Sequence, residues 1–212
     1  MAVYDLEEQE KLDALKAWWK GQRNFVAAVT VLAAIGIGSL QGYRYWRNTQ
    51  ALKASQAYAQ LEQAVRENDP KKVREAAGQI SENFASTGYA AMAALAAAKA
   101  SFEAGDLKGA SAQLKWVVDH CEDEELRATA RLRWAGVMLD EKNYDGALAQ
   151  LNEKHPASFE ALFADVRGDV LFAQGKREDA RRAYKLSLEK LPADNPYRPV
   201  VQVKLEDLGG AP

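Results

Sequence analysis

The chain has one cysteine and two histidines in 212 residues. A single thiol excludes an internal disulfide framework and a cysteine cage for zinc, and two imidazoles leave little for a histidine-rich metal site. Charge of one sign is also missing: 28 Lys and Arg stand against 30 Asp and Glu, for a formal charge of −2. Binding to a phosphate backbone needs a clustered excess of cations, so this balance argues against a nucleic-acid surface. No glycine-rich phosphate loop ending in Lys-Ser or Lys-Thr is present, and no zinc-protease HExxH. Runs of alternating β-branched residues are absent too, which points away from half-buried strands.

Nucleophilic catalysis needs a base within hydrogen-bond reach of a nucleophile, and the imidazoles available are His120 and His155. His120 adjoins Cys121, and neighbours on a chain seldom aim at one another. The following Glu122-Asp123-Glu124-Glu125 makes the setting negative, the opposite of what activates a thiol. That acidic run reads as a helix start with Asp123 as N-cap and carboxylates near the positive dipole end. A calcium loop would need alternating oxygen ligands and a turn glycine, which are missing. His155 precedes Pro156 in a polar turn without a cysteine, histidine or paired carboxylate beside it. Carboxylates meeting across helices stay open as a hydrolase alternative, but no catalytic, cofactor-binding or metal-binding residue is assigned and an enzyme is not expected.

What the sequence does have is one long uncharged stretch. Asn24 to Tyr43 holds 20 residues without a charge, and a helix of that length is about 30 Å long, the thickness of a bilayer's hydrocarbon. Trp18 and Trp19 precede it with Lys16, Lys20 and Arg23; Tyr43, Tyr45 and Trp46 follow it with Arg44 and Arg47. Amphipathic rings and snorkelling cations favour the headgroup layer, so the stretch reads as a transmembrane helix rather than a buried core helix. A cleaved leader would start short and basic, whereas residues 1–23 carry Asp5, Glu7, Glu8, Glu10 and Asp13 against Lys11, Lys16, Lys20 and Arg23. The segment is therefore expected to stay as an anchor. Lys11, Lys16, Lys20 and Arg23 before the span and Arg44, Arg47 and Lys53 after it favour a cytoplasmic N-terminus by one charge only. Gly38 and Gly42 form a GxxxG that would let two membrane helices approach closely, which makes them the candidate helix-packing residues.

The remaining sequence carries charges and alanines at helical spacing. Tyr58, Leu61 and Val65 share one face of a helix that continues to the Asn68-Asp69-Pro70 break. Pro70 suits the first turn of the next, with Val73, Ala77, Ile80 and Phe84 on one face. Three later stretches share one layout: Phe102-Glu103-Ala104-Gly105-Asp106-Leu107-Lys108-Gly109-Ala110, Leu139-Asp140-Glu141-Lys142-Asn143-Tyr144-Asp145-Gly146-Ala147 and Phe172-Ala173-Gln174-Gly175-Lys176-Arg177-Glu178-Asp179-Ala180. Each reads as a helix end, a polar turn and an alanine opening the next packing face. Ala110, Ala147 and Ala180 lie 37 and 33 residues apart.

That period resembles the tetratricopeptide repeat, whose unit is about 34 residues. Gly168, Leu171, Gly175, Ala180, Tyr184, Leu188 and Pro192 fall at its small, large, turn, small, aromatic, apolar and proline places. Ala135, Met138, Tyr144, Ala147 and Leu151 repeat most of the pattern, as do Ala98, Gly105, Ala110 and Leu114, although Ser101 stands where a large residue belongs. Small residues at Ala98, Ala135 and Gly168 let helix pairs cross closely, and Leu114, Leu151 and Tyr184 fill the space between. Trp116 and Trp134 are expected to pack within or between repeats. Since such units cannot bury their faces alone, the helix pair before residue 86 reads as a degenerate leading unit, and Val200 to Leu208, closed by Gly209-Gly210, as a capping helix.

The reading is all-α: residues 1–23 as an N-terminal tail, 24–43 as a transmembrane helix, and 44–212 as a tetratricopeptide-like α-solenoid with a C-terminal capping helix. In such domains the first helix of each unit lines the concave groove. The matching places are Met92, Leu95, Lys99 and Phe102 in the first copy, Leu132 and Leu139 in the second, and Asp165, Asp169 and Phe172 in the third. They mix apolar and charged side chains suited to a partner segment. Leu132 and Gly136 stand where a groove that clamps carboxylate tails would carry basic residues and asparagine. An equal alternative is that the chain's own last helix covers part of this face.

The layout as a whole resembles the ancillary SecYEG translocon subunit family, the YfgM-like proteins of Gram-negative inner membranes. Ala17-Trp18-Trp19-Lys20, the glycine-containing span and Gly42-Tyr43-Arg44-Tyr45-Trp46 carry that resemblance at one end. Ala164-Asp165-Val166-Arg167-Gly168-Asp169-Val170-Leu171-Phe172-Ala173-Gln174-Gly175-Lys176 and Gln202-Val203-Lys204-Leu205 carry it at the other. It implies an inner-membrane protein with a cytoplasmic N-terminus and periplasmic repeats. The implied partners are membrane lipid, the Sec translocon and the membrane-anchored chaperone PpiD, and the implied role is to assist exported proteins. A regulatory role of the cytoplasmic tail toward an envelope-stress response regulator is the alternative it carries. No cofactor is expected.

Overall fold

The computed structural model describes residues 2–209, with side chains from Glu10 onward; Gly210 and the side chains of Asp5, Glu7 and Glu8 lie outside the described residues. The regular structure of the described residues is all helical, with no strand among them. The elements are α1 (Ala2–Arg66), α2 (Pro70–Asn83), α3 (Gly88–Glu103), α4 (Leu107–His120), α5 (Glu124–Asp140), α6 (Tyr144–Leu151), a 3-10 turn (Ala157–Phe159), α7 (Glu160–Ala173), α8 (Arg177–Lys190) and α9 (Arg198–Asp207). The chain divides into two units, Met1–Thr49 and Gln50–Pro212.

The first unit is helix alone. Phe25, Leu32, Ile35, Ile37 and Leu40 are all exposed, and α1 is long and apolar enough to cross a membrane. A helix apolar on every side and uncovered by protein is stable only where lipid replaces water around it. No neighbouring atom lies within 4 Å of where a Cβ would stand at Gly38 or Gly42, so the face bearing the GxxxG is open.

The second unit is a stack of helical hairpins, and the turns within the hairpins are copies of one another. Gly105 and Gly175 take φ of 76° and 77°, and Lys142 takes 58° at the same place. The next residue in each copy donates its N–H five residues back, Asp106 to Ser101 O at 2.9 Å, Asn143 to Met138 O at 2.8 Å and Lys176 to Leu171 O at 2.9 Å. This is a Schellman closure, which satisfies helix-end carbonyls through a left-handed residue. The same turn recurs between α1 and α2: Asn68 has φ of 52°, and Asp69 N–H reaches Ala64 O at 3.1 Å. The leading pair, degenerate in its apolar residues, therefore keeps the turn of the repeat, which the proline break masked in the sequence. Asp69, Asp106 and Asn143 cap the following helices through Oδ1. Asp123 caps α5 as expected, accepting from Glu125 N and Leu126 N at 2.9 Å each.

Packing across each hairpin follows a size rule. Ala98 faces a unit with Leu114, and Ala135 one with Leu151, all nearly or fully buried. In the last copy glycine replaces alanine and tyrosine replaces leucine. A Cβ added at Gly168 would run into the Tyr184 ring at Cε1 and Cδ1, so the missing methyl is the space the ring occupies. Trp116 packs against both the leading core and the next one, and Trp134 against the next two, so the indoles join neighbouring units. The lone Cys121 packs on the same core, and its Sγ lies 3.8 Å from Asp123 O. Burial pushes its thiol pKa up, away from thiolate reactivity. His120 stacks on Trp116 at 4.9 Å, and its Nδ1 meets Trp116 O. His155 stacks on Phe163 at 3.8 Å with Nε2 3.1 Å from Glu160 Oε2. Among the described residues neither imidazole is hydrogen-bonded to a hydroxyl or thiol.

Candidate protein-interaction face

The repeat register sorts the nine residues expected on the inner face into distinct places. Counted from the left-handed turn residue, Leu95, Leu132 and Asp165 stand ten residues before it, Lys99 and Asp169 six before it, and Phe102, Leu139 and Phe172 three before it. Side chains ten before the turn point into the seam between units. Leu95 is 7% exposed within the core that α3, α4 and α5 share, and Leu132 is half-buried against the core containing Phe163 and Val170. Met92 is half-buried one turn earlier on α3.

Asp165 occupies that seam in the last unit with a charge where the other copies have leucine. It is 2% exposed. Lys204 of α9 reaches between α7 carboxylates: its Nζ donates to both Asp165 oxygens at 2.9 Å and to Asp169 Oδ2 at 2.8 Å. Tyr197 OH donates to Asp165 Oδ2 and Tyr184 OH to Asp169 Oδ1, each at 2.8 Å. All four carboxylate oxygens are thereby partnered, which is the condition for burying such charges. Burial raises the Asp169 pKa against the opposing pull of Lys204. For Lys204, burial acts to lower the pKa but the hydrogen bonds to Asp169 and Asp165 prevail and raise it. Burial and the acceptor Asp165 push Tyr197 up to about 12, and Tyr184 is raised for the same reasons by Asp169. The cluster holds α9 on α7, and the chain's own last helix takes up both carboxylates.

The partners of this cluster were legible only in part. Val201 and Leu205 of α9, with Leu208 at its C-cap, form a buried stripe, and Lys204 lies within that stripe rather than opposite it. A lysine at such a position calls for a buried carboxylate, but nothing along the chain says which one, since Asp165 is 39 residues away.

Lys99, Phe102 and Leu139 come together elsewhere. They line a hollow of about 530 Å³ with Arg133, Gly136 and Asp140, whose floor is Ala98, Leu114 and Val137. Phe102 is exposed, Leu139 half-buried, and the Lys99 ammonium is 3.7 Å from Glu103. A second hollow of about 360 Å³ adjoins it through Lys99, between Val65, Asn68 and Glu103. Phe172 is exposed beneath the Arg177 guanidinium, 5.9 Å from the ring centre. Apolar walls edged with charges of both signs suit a polypeptide ligand. No group of three or more metal-ligating side chains occurs among the described residues.

Comparison with known proteins identifies the family. Residues 16–210 match the family model described as a tetratricopeptide repeat-like domain. The "Ancillary SecYEG translocon subunit" of Neisseria gonorrhoeae is 34% identical over 207 residues, 96% of this chain and 98% of that protein. Proteins of the same name from Aggregatibacter actinomycetemcomitans and Escherichia coli are each 31% identical, over 97% and 89% of this chain and 100% and 90% of their own lengths. With the membrane-length helix, the repeated turns and likeness along nearly the whole chain, this protein belongs to the ancillary SecYEG translocon subunit family.

Proposed function

We propose that this protein is a membrane-anchored ancillary subunit of the Sec translocon that passes exported proteins to periplasmic chaperones. The observation that carries the reading is likeness over 96% of the chain to a relative bearing that name. The exposed apolar helix supports it, because a tether fixes a repeat domain at high local concentration beside a membrane channel. Residues 24–43 cross the inner membrane, residues 1–23 stay in the cytoplasm, and the repeats face the periplasm, where PpiD is the receiving partner. Gly38 and Gly42 are the packing face toward another membrane helix. The helix-lined hollow around Phe102 and Leu139 meets polypeptide, and no chemistry is performed on it.

Two measurements test this. A C-terminal reporter active only outside the cytoplasm must be active, and a tagged full-length chain must bring translocon subunits and PpiD out of detergent-solubilised membranes. A silent reporter would place the repeats in the cytoplasm and shift the role to regulation there. An active reporter without translocon recovery would overturn the ancillary-subunit reading.

A further inference from the structure

We propose that the membrane helix pairs with a second copy of this chain through one face of its span, which names the occupant of the Gly38 and Gly42 face and rests on the reading of residues 24–43 as membrane-crossing. Asn24, Ala27, Val31, Ala34, Gly38 and Gln41 follow one another at steps of 3, 4, 3, 4 and 3 residues, and all stand within about 60° of Gly38 around the helix axis. Ile35 borders this face. Phe25, Val29, Leu32 and Leu40 stand more than about 100° away, and all four are exposed. Small side chains mark many membrane helices; what sets this face apart is that it also carries both carboxamides of residues 24–43. Among the described residues of this unit, side-chain hydrogen bonds are made by Lys16, Thr30 and Thr49. The Thr30 hydroxyl is thus satisfied by Val26 O at 2.8 Å, while Asn24 and Gln41 make no bond. Asn24 stands at one end of the uncharged stretch and Gln41 about 4 Å inside the other. The bilayer therefore takes Gln41 from water without supplying a partner.

The chemistry of those groups selects a second copy. A carboxamide both donates and accepts, so the same residue at the same depth in two parallel helices completes its own hydrogen bond. Every copy carries the same aromatic and basic flanks and enters the membrane in one orientation. Two copies are therefore parallel, with Gln41 beside Gln41 and Asn24 beside Asn24. A different helix would have to offer a polar group at both depths, about 25 Å apart. Steps of 3 and 4 average about 3.5 residues, the period at which two helices stay in register along one line as a left-handed supercoil. Lipid gives no hydrophobic drive toward association, so close packing and interhelical hydrogen bonds must supply it. Ala27, Ala34, Gly38 and Gly42 let the backbones approach, and no atom of this chain uses the room at the two glycines. Because one face serves both copies, the assembly closes at two. Arg44 and Arg47 lie on other faces. Lys20 continues the register before the span, outside the hydrocarbon, where water and headgroups solvate like charges.

Disulfide trapping in inner-membrane vesicles tests this, with the full chain carrying Cys121→Ser. Ala27→Cys, Val31→Cys, Ala34→Cys and Gly38→Cys, introduced singly, should give oxidised dimers of this chain. Phe25→Cys, Val29→Cys, Leu32→Cys and Leu40→Cys should give about tenfold less. With Ala34→Cys as reporter, combining Gly38→Ile with Gly42→Ile should lower trapping about tenfold. Gln41→Leu should also lower it, Gln41→Asn should retain more than Gln41→Leu, and Gly36→Ile on the far face should leave it unchanged. Every variant should stay in the membrane through alkaline extraction. Equal trapping on all faces, no dimer at any of the first four positions, or those cysteines linked only to other proteins would overturn the pairing. The two readings fail separately: release of the chain by alkali overturns the membrane crossing itself, whereas a chain retained in the membrane without dimers overturns the pairing alone. Translocon recovery by the Gly38→Ile, Gly42→Ile variant reports on the ancillary-subunit role independently of both.

Discussion

Replacing Lys204 with Met leaves the Asp165 and Asp169 carboxylates on one helix without their shared counter-charge. Removing one partner from a buried ion cluster costs about 3–5 kcal/mol, because the charge left behind is desolvated and unpaired. Asp165 is 2% exposed, whereas the Lys204 and Asp169 side chains keep about a quarter of their surface in water. The expected loss lies at the lower end, about 3 kcal/mol, or a midpoint about 6–12 °C lower in a thermal melt of the full chain in detergent. The defect should also depend on pH with a definite sign. Burial already raises the Asp169 pKa against the pull of Lys204; without the amine that pull is gone, so the protonated fold is favoured in acid and the loss shrinks as pH falls from about 7 toward about 4. Asp165 stands where the two preceding units have Leu95 and Leu132, so Asp165→Leu added to Lys204→Met should recover at least half of the lost stability. A single variant within about 0.5 kcal/mol of wild type, or a double variant no better than the single, would refute the account of how α9 is held.

Three further outcomes follow from the same packing. Gly168→Ala should cost about 1–3 kcal/mol by overpacking, because the Tyr184 ring it meets is tethered through its hydroxyl to Asp169 and cannot retreat; adding Tyr184→Leu, the pairing of the other units, should return part of that loss in the same melt. Lys142→Gly should raise stability by up to about 1 kcal/mol, since this position has φ of 58° where the turns at Gly105 and Gly175 use glycine; a lower midpoint would contradict the strain argument. Alkali should unfold the last unit first. Lys204, Tyr184 and Tyr197 all have raised pKa values in the fold, so the folded state holds more protons than the unfolded chain above about pH 10. Stability is full below that pH and falls as it rises toward the folded-state values, and Tyr197→Phe should soften the dependence in melts taken across this range.

The periodic features of the fold are legible along the chain, and those that depend on contact between distant segments are not. Ala110, Ala147 and Ala180 announce the repeat because every unit repeats the same local conflict between a helix end and a tight turn. The small-large pairs Ala98 with Leu114, Ala135 with Leu151 and Gly168 with Tyr184 are readable for the same reason. Asn68 and Asp69 carry the same turn, yet the adjoining Pro70 reads first as a helix break, which hides the likeness. The seam cluster is a different matter. Asp165 and Asp169 lie on one helix face and look like groove residues until Lys204, 39 residues on, is seen to reach them. Helical spacing tells which side chains share a face, but only tertiary packing tells what that face meets. Phe102, Leu139 and Phe172 share a register with one another along the sequence, and Val65 falls in the same register only once the leading turn is recognised as a fourth copy.

The most direct test of the central claim is photo-cross-linking in intact inner membranes, with the reactive side chain placed at Phe102 of the otherwise native chain while export is under way. The account predicts adducts with translocon subunits or with emerging secretory chains, lost when export is arrested before chains reach the channel. Efficient cross-linking confined to cytoplasmic proteins, with none to the translocon or to exported chains, would contradict it.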